Sequence, residues 1–215
     1  MITCSIDWTA VGAIAGGLGA IATAWMAYQA HKSNQKAKEA ILENKKSAFF
    51  DMIVAMYSNN RKSIEQMTII NEDCTTIPKP VGLDCLEYIY NTLFKTRLTT
   101  KIDRSKLPSE QKTESIVPEE KAAKETFKKI VHSRYPNIGT YMSSFVAIVA
   151  MIDDEEILDN KFKDKCVAYI KTQTTVGEKI WLFYYALFGF DKRGVLSKYR
   201  ILTDVPDDRL VTLKQ

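Results

Sequence analysis

The stretch WTAVGAIAGGLGAIATAWMAY, Trp8–Tyr28, carries no charged residue. It is rich in alanine and holds four of the chain's nine glycines. A helix crossing a bilayer needs about 20 apolar residues at about 1.5 Å of rise each. Thr9–Tyr28 supplies that length, and Thr9, Thr23 and Tyr28 are its polar side chains apart from the tryptophan ring. Threonine hydroxyls bond back to the preceding turn and are tolerated in lipid. Trp8 stands at one end and Trp25 and Tyr28 at the other, where amphipathic rings favour the two interfaces. The reading is a single transmembrane helix over 9–30, after a short extracytoplasmic tail over 1–8.

Flanking charge orients the span. Asp7 precedes it; His31, Lys32, Lys36, Lys38, Lys45 and Lys46 follow it. Basic residues are retained on the cytoplasmic side. The N-terminus is therefore expected outside the cell membrane, with residues 31–215 as a cytosolic helical domain. The lysines also favour anionic lipid heads, at about 1 kcal/mol per charge. Two rival readings remain. A cleaved secretory signal needs a basic n-region, and Met1–Asp7 has no lysine or arginine. A buried soluble helix would suit the moderate apolarity of an Ala- and Gly-rich run.

Gly12, Gly16, Ala20 and Ala24 recur every fourth residue, along one helix face. Small residues in such a row let two helices approach closely. Homo-oligomerisation through the span is one reading. The other is that small residues are simply abundant there.

Beyond the span, few breakers and many Lys, Glu, Ala, Leu and Ile point to an all-α protein, a helical bundle. Ala30–Met67 has no Gly or Pro. Ile41, Phe49, Phe50, Ile53, Val54, Met56, Tyr57, Ile64 and Met67 fall at three- and four-residue steps, so one long helix, whole or broken, joins the span to the body. Residues 71–82 read as a loop and 83–98 as an amphipathic helix. The polar, twice proline-broken stretch 99–118 reads as a flexible excursion. Pro118 then starts a helix that Pro136 stops. Residues 138–152 are strongly apolar but too short to cross a bilayer, and read as a core helix. Asp153 is expected to cap the next helix, with Glu156 at its third position, and Thr175 and Glu178 have the spacing of a capping box. Gly189 is placed to end the last long helix, and a short basic helix over 192–202 leads to a polar end.

The segment FVAIVAMIDDEEI…KCVAYIKTQTTVGEKIWLFYYALFG, residues 145–189, resembles the C-terminal signature of the phage abortive infection proteins of the AbiC-like family. Their signature runs basic-x-Gln-Leu-Ser/Thr-x-x-Glu-Leu and ends in Phe-Tyr-Asn. Here Lys171, Gln173, Thr175, Glu178 and Phe183-Tyr184 keep the pattern, whereas Thr174, Lys179 and Tyr185 replace its two leucines and its asparagine. The layout is similar too: N-terminal membrane helix content, a Phe-rich segment like SAFFDMIVAMYSNN, then helices. The resemblance implies a membrane-anchored effector or sensor of bacterial antiphage defence, with an unknown protein partner or phage trigger. It makes Lys171, Gln173, Glu178 and Tyr184 candidate recognition residues. Read bottom-up, Thr175 and Glu178 are also explained by capping. Trp181, Phe183, Tyr184, Leu187 and Phe188 are also explained by packing. Lys171 and Gln173 have no such structural reason.

The sequence argues against several chemistries. The net charge of +4 is mild and forms no basic stripe with interleaved aromatics, which argues against nucleic-acid binding. Cys4, Cys74, Cys85 and Cys166 form no CxxC and read as unpaired apolar residues. The Arg-x4-His pair of HEPN-type ribonucleases is missing, because Met26 and Phe127 precede His31 and His132 at that spacing. AGGLGA lies inside the span with no strand before it, so it is no phosphate cradle. Asp153–Glu156 would be a metal cluster only if adjacent acids on a helix faced one way, which they do not. No catalytic residue, metal or cofactor is assigned. A tethered scaffold without toxicity is the alternative function, and a divergent nuclease a third.

Overall fold

The computed structural model describes residues 8–70, 79–96, 98 and 120–211, without the side chains of residues 8–21. Residues 1–7, the excursion over 99–118, Cys4 and Cys74 lie outside the described residues. So do most of the 71–82 loop and the Pro118 helix start.

The described residues are helical, with no strand among them; Thr68 and Val81 form an isolated antiparallel bridge. The first helix, α1, is continuous over Trp8–Glu65. The chain divides into two units, Met1–Phe49 and Phe50–Gln215. In the first unit α1 is the described element, and from Ala22 to Lys45 every side chain is exposed, including Trp25, Met26, Tyr28, Ile41 and Leu42. Helix propensity alone leaves such a segment marginal, since helices owe most of their stability to a packed face. Among the described residues no single helix is long and apolar enough to cross a membrane, so the structure does not supply the single span expected over 9–30.

The second unit is a helical bundle. Residues Phe50–Glu65 of α1 enter it with Ile53, Tyr57 and Ile64 buried. Helix α2, Asp84–Ile89, runs into a π-helical turn over Tyr90–Lys95; α3, Glu120–Lys128, does the same over Lys129–Arg134. Helix α4 is Pro136–Asp154, α5 Asn160–Gln173, α6 Val176–Leu187 and α7 Val195–Lys198, and a 3₁₀ turn follows over Asp207–Arg209. The apolar 138–152 run is a core helix: Ile138, Tyr141, Met142, Phe145, Ile148, Val149 and Ile152 are buried. Pro136 occupies its first turn, where the missing N–H costs no helix bond. The chain bends by 103° between Arg134 and Pro136. Gly139 makes this bend feasible, since a Cβ there would lie 2.5 Å from the Val131 carbonyl oxygen.

Aromatic rings fill the middle of the bundle. Phe94 packs on Tyr184 at 4.7 Å, and Phe127 on Phe188 at 5.3 Å and Trp181 at 5.7 Å. The Trp181 indole N–H donates to the Leu86 carbonyl at 3.0 Å, so its one polar atom is satisfied. Cys85 and Cys166 are buried, and the Cys85 thiol donates to the Met67 carbonyl at 3.4 Å.

Several expectations are corrected. Asp153 caps nothing: with Asp154 it ends α4, and the cap of α5 is Asp159, whose carboxylate accepts from the Phe162 amide at 2.9 Å. At the carbonyl end of α4 the two acids have the unfavourable side of the helix dipole. Cations offset it: Asp153 pairs with Lys198 and accepts from Tyr199, and Asp154 pairs with Arg193. Hydrogen bonds from these partners hold both carboxyls below the usual carboxylate range. The basic helix expected over 192–202 is helical at Val195–Lys198 and continues as turns, entered through Gly194 at φ +65°. Leu187 is exposed, so packing does not account for it.

Candidate functional site

The capping box is present, and it is half of a larger arrangement. The Glu178 amide donates to Thr175 Oγ1 at 3.3 Å, and the Thr175 amide donates to Glu178 Oε2 at 2.6 Å. The other carboxylate oxygen, Oε1, turns inward and accepts from the Tyr141 hydroxyl at 2.7 Å. Arg61 Nε lies 3.8 Å from the same oxygen, and 3.4 Å from Glu65 Oε1 on its own helix. Glu178 is fully buried, so its charge needs these partners.

Three helices meet on this carboxylate. Helix α1 supplies Arg61, which also donates through Nη1 to the Gln173 carbonyl at 2.9 Å. It also supplies Tyr57, whose hydroxyl lies 3.4 Å from Thr174 Oγ1, and Asn60, which donates to the Tyr141 carbonyl at 3.0 Å. Helix α4 supplies Tyr141, and α6 supplies Glu178. Thr174, at a slot where the resembled signature has leucine, also donates to the Ile170 carbonyl at 2.7 Å. The threonine thus gives a buried hydroxyl to the network and remains satisfied itself. Burial, then the nearby Glu178 carboxylate, pushes the hydroxyls of Tyr57 and Tyr141 above the ordinary tyrosine range. The cluster is thus a carboxylate held between a guanidinium and neutral phenols. Beside it, an open groove of about 450 Å³ runs between α1 and α4, lined by Met56, Asn59, Asn60, Ser144, Ala147, Ile148 and Met151.

The sequence-derived recognition residues separate into two places. Glu178 is the hub just described. The side chain of Gln173 is exposed, and its backbone carbonyl is what the network uses. Lys171 and Tyr184 instead face the C-terminal segment. Lys171 Nζ donates to Thr203 Oγ1 at 2.9 Å and pairs with Asp204 at 3.3 Å, so it has a structural partner after all. Lys179, at the signature's second leucine slot, pairs with the same Asp204 oxygen at 3.3 Å. Tyr184 Oη accepts from the Val211 amide at 2.6 Å and lies 3.4 Å from the Tyr90 hydroxyl. Gly12, Gly16, Ala20 and Ala24 all fall on α1; Ala24 is exposed, and the side chains at 12, 16 and 20 lie outside the described residues.

Tyr57, Arg61, Tyr141 and Asp204 are not among the recognition residues expected from the sequence, and Tyr57 enters there only as an apolar step of α1. Arg61 left one signal: it interrupts the apolar steps of α1 between Tyr57 and Ile64. Tyr141 gave none, because a tyrosine in an apolar helix reads as packing. Among the described residues no group of three His, Cys, Asp or Glu side chains is placed to hold a metal ion. His132 is exposed and stacks edge-on with Phe190 at 5.9 Å, and His31 bonds Gln35 at 3.0 Å on the outside of α1. Comparison with protein-family models, curated proteins and solved structures finds no match to this chain.

Proposed function

We propose that the chain is a membrane-anchored helical protein of bacterial antiphage defence, an effector or sensor similar to the AbiC-like abortive infection proteins. One observation carries this reading: α1 is a single helix holding both the uncharged apolar segment and Tyr57 and Arg61. These two residues contact Thr174, the Gln173 carbonyl and Glu178, within the segment that resembles the signature. From Ala22 to Tyr28 every side chain of α1 is exposed; a helix without a packed face is poorly stable in water, and lipid supplies the missing burial. Exposed Trp25 and Tyr28, followed by lysines, suit the cytoplasmic interface. In this reading the N-terminus lies outside the cell membrane and the bundle in the cytoplasm. The span self-associates along Gly12, Gly16, Ala20 and Ala24, and a phage product or partner protein engages the bundle.

A phage challenge tests it. Cells carrying the intact gene should die before phage release, and cells carrying a version lacking residues 1–30 should not. Recovery of the full-length chain from cells in the soluble fraction without detergent would remove the anchor from the account. The second reading, a tethered scaffold without toxicity, draws on the open groove beside Met56 and Ile148. Loss of membrane potential on overexpression supports the effector, and indifference supports the scaffold.

A further inference from the structure

Residues Thr203–Val211 lie across the bundle as a strap. Its side chains from Thr203 to Arg209 are exposed or half-exposed, so little apolar burial holds it. Polar contacts hold it at three points. At one end, Lys171 and Lys179 converge on Asp204. Further along, Arg209 pairs with Glu87 at 2.7 Å, and its carbonyl accepts from the Tyr90 hydroxyl at 2.6 Å. At the far end, the Val211 amide donates to Tyr184 Oη at 2.6 Å, and the Tyr184 hydroxyl in turn approaches the Val211 carbonyl at 3.5 Å. A cavity of about 280 Å³ opens beside the strap, lined by Glu87, Tyr90, Asn91, Lys95, Asp208 and Arg209.

The division of labour is that of a peptide site. The buried hydroxyls of Tyr90 and Tyr184 engage main-chain groups, which any sequence offers, while two lysines select a carboxylate. We propose that this surface is a peptide-binding groove occupied in cis by residues 203–211, and that an extended acidic segment of a partner protein takes their place. A strap with few buried apolar contacts opens at a small fraction of the cost of unfolding the bundle. The tethered segment competes at high effective concentration, so the closed chain binds a partner weakly and the opened chain binds it well. The cavity leaves room for a larger side chain near the positions of Asp208 and Arg209. This inference does not depend on the membrane reading, since a groove on the bundle serves an anchored or an unanchored chain.

A labelled peptide with the sequence of residues 203–211, TDVPDDRLV, tests it by fluorescence anisotropy on the full chain. The strap is loosened by the double change Asp204→Ala and Arg209→Ala. The loosened chain should bind the peptide at least about tenfold more tightly than the native chain, whose strap competes. Lys171→Ala in the loosened chain, or the peptide with its Asp204 replaced by Ala, should lower that affinity by about three- to fivefold. No saturable binding to a loosened chain of native helical content overturns the proposal, as does equal affinity for the two peptides. Hydrogen exchange on the native chain gives an independent reading that also decides if the loosened chain misfolds. Excess peptide should speed exchange of the Leu210 and Val211 amides, and unchanged exchange there overturns the proposal.

Discussion

Arg61, in the last turns of α1, and Glu178, in the first turn of α6, approach to 3.8 Å across the bundle, and the carboxylate is fully buried. The same carboxylate closes the capping box of α6 and accepts from Tyr141. One side chain thus joins a local device, which the chain makes with itself over three residues, to a tertiary one.

Removing that side chain should be costly. Glu178→Ala removes the side-chain half of the capping box, leaves the Tyr141 hydroxyl without its acceptor and takes from Arg61 its buried counter-ion, a loss of about 3 kcal/mol. Glu178→Gln keeps acceptor capacity and should cost less. Tyr141→Phe removes one bond and should cost about 1 kcal/mol. Urea unfolding monitored by circular dichroism checks the order Ala, then Gln, then Phe. A Glu178→Ala chain as stable as the native one would refute the hub.

Alkaline titration should expose the buried phenols. Burial raises the hydroxyls of Tyr57, Tyr90, Tyr141 and Tyr184. A group raised on folding contributes stability that is fully present below its unfolded value, about 10 for tyrosine, and is lost as pH rises through the folded value. Tm should therefore hold as pH approaches that value and fall steeply beyond it. Absorbance at a tyrosinate wavelength should rise in two stages, exposed residues first and the buried group with unfolding.

Asp204 predicts the opposite dependence at the acid end. Hydrogen bonds from Lys179 and Lys171 hold its carboxyl below the usual range. Its contribution is present above the unfolded value and disappears as pH falls through the folded one. Because the site is exposed, the effect on global stability is small. Exchange of the Leu210 and Val211 amides, corrected for the intrinsic pH dependence, should show the strap loosening before the bundle unfolds. Lys179→Leu, which places leucine where the resembled signature has it, should loosen the strap at neutral pH with a change of at most about 1 kcal/mol in bundle stability.

Two substitutions separate the observed helix ends from those expected. Asp159→Ala should cost about 1 kcal/mol, because Asp159 is the cap of α5, whereas Glu156→Ala should cost nothing measurable. The reverse order in thermal unfolding would restore the Asp153 cap.

Gly139 tests the bend before α4. A methyl group there meets the Val131 carbonyl at 2.5 Å, and a backbone atom cannot swing aside. Gly139→Ala should therefore destabilise the bundle by about 1–3 kcal/mol, read as a lower urea midpoint with unchanged slope.

The sequence by itself determined the helical class, the long helix after residue 30, the core helix over 138–152, the capping box at Thr175 and Glu178, and the helix stop at Gly189, whereas the unbroken run of α1 from Trp8 to Glu65 came from the structure. Each of these depends on chemistry within a few residues: apolar steps, missing breakers, a side chain reaching its own backbone. Only the tertiary structure decided which way the second oxygen of Glu178 faces, that Arg61 at a core step is an ion-pair partner, and that Lys171 and Lys179 share Asp204. It also moved the α5 cap from Asp153 to Asp159, because the cations that hold Asp153 and Asp154 at the end of α4 arrive from Arg193 and Lys198, far along the chain. Charge pairing over such distances has no period and no fixed spacing. The residues that make it look, in one dimension, like any solvated surface.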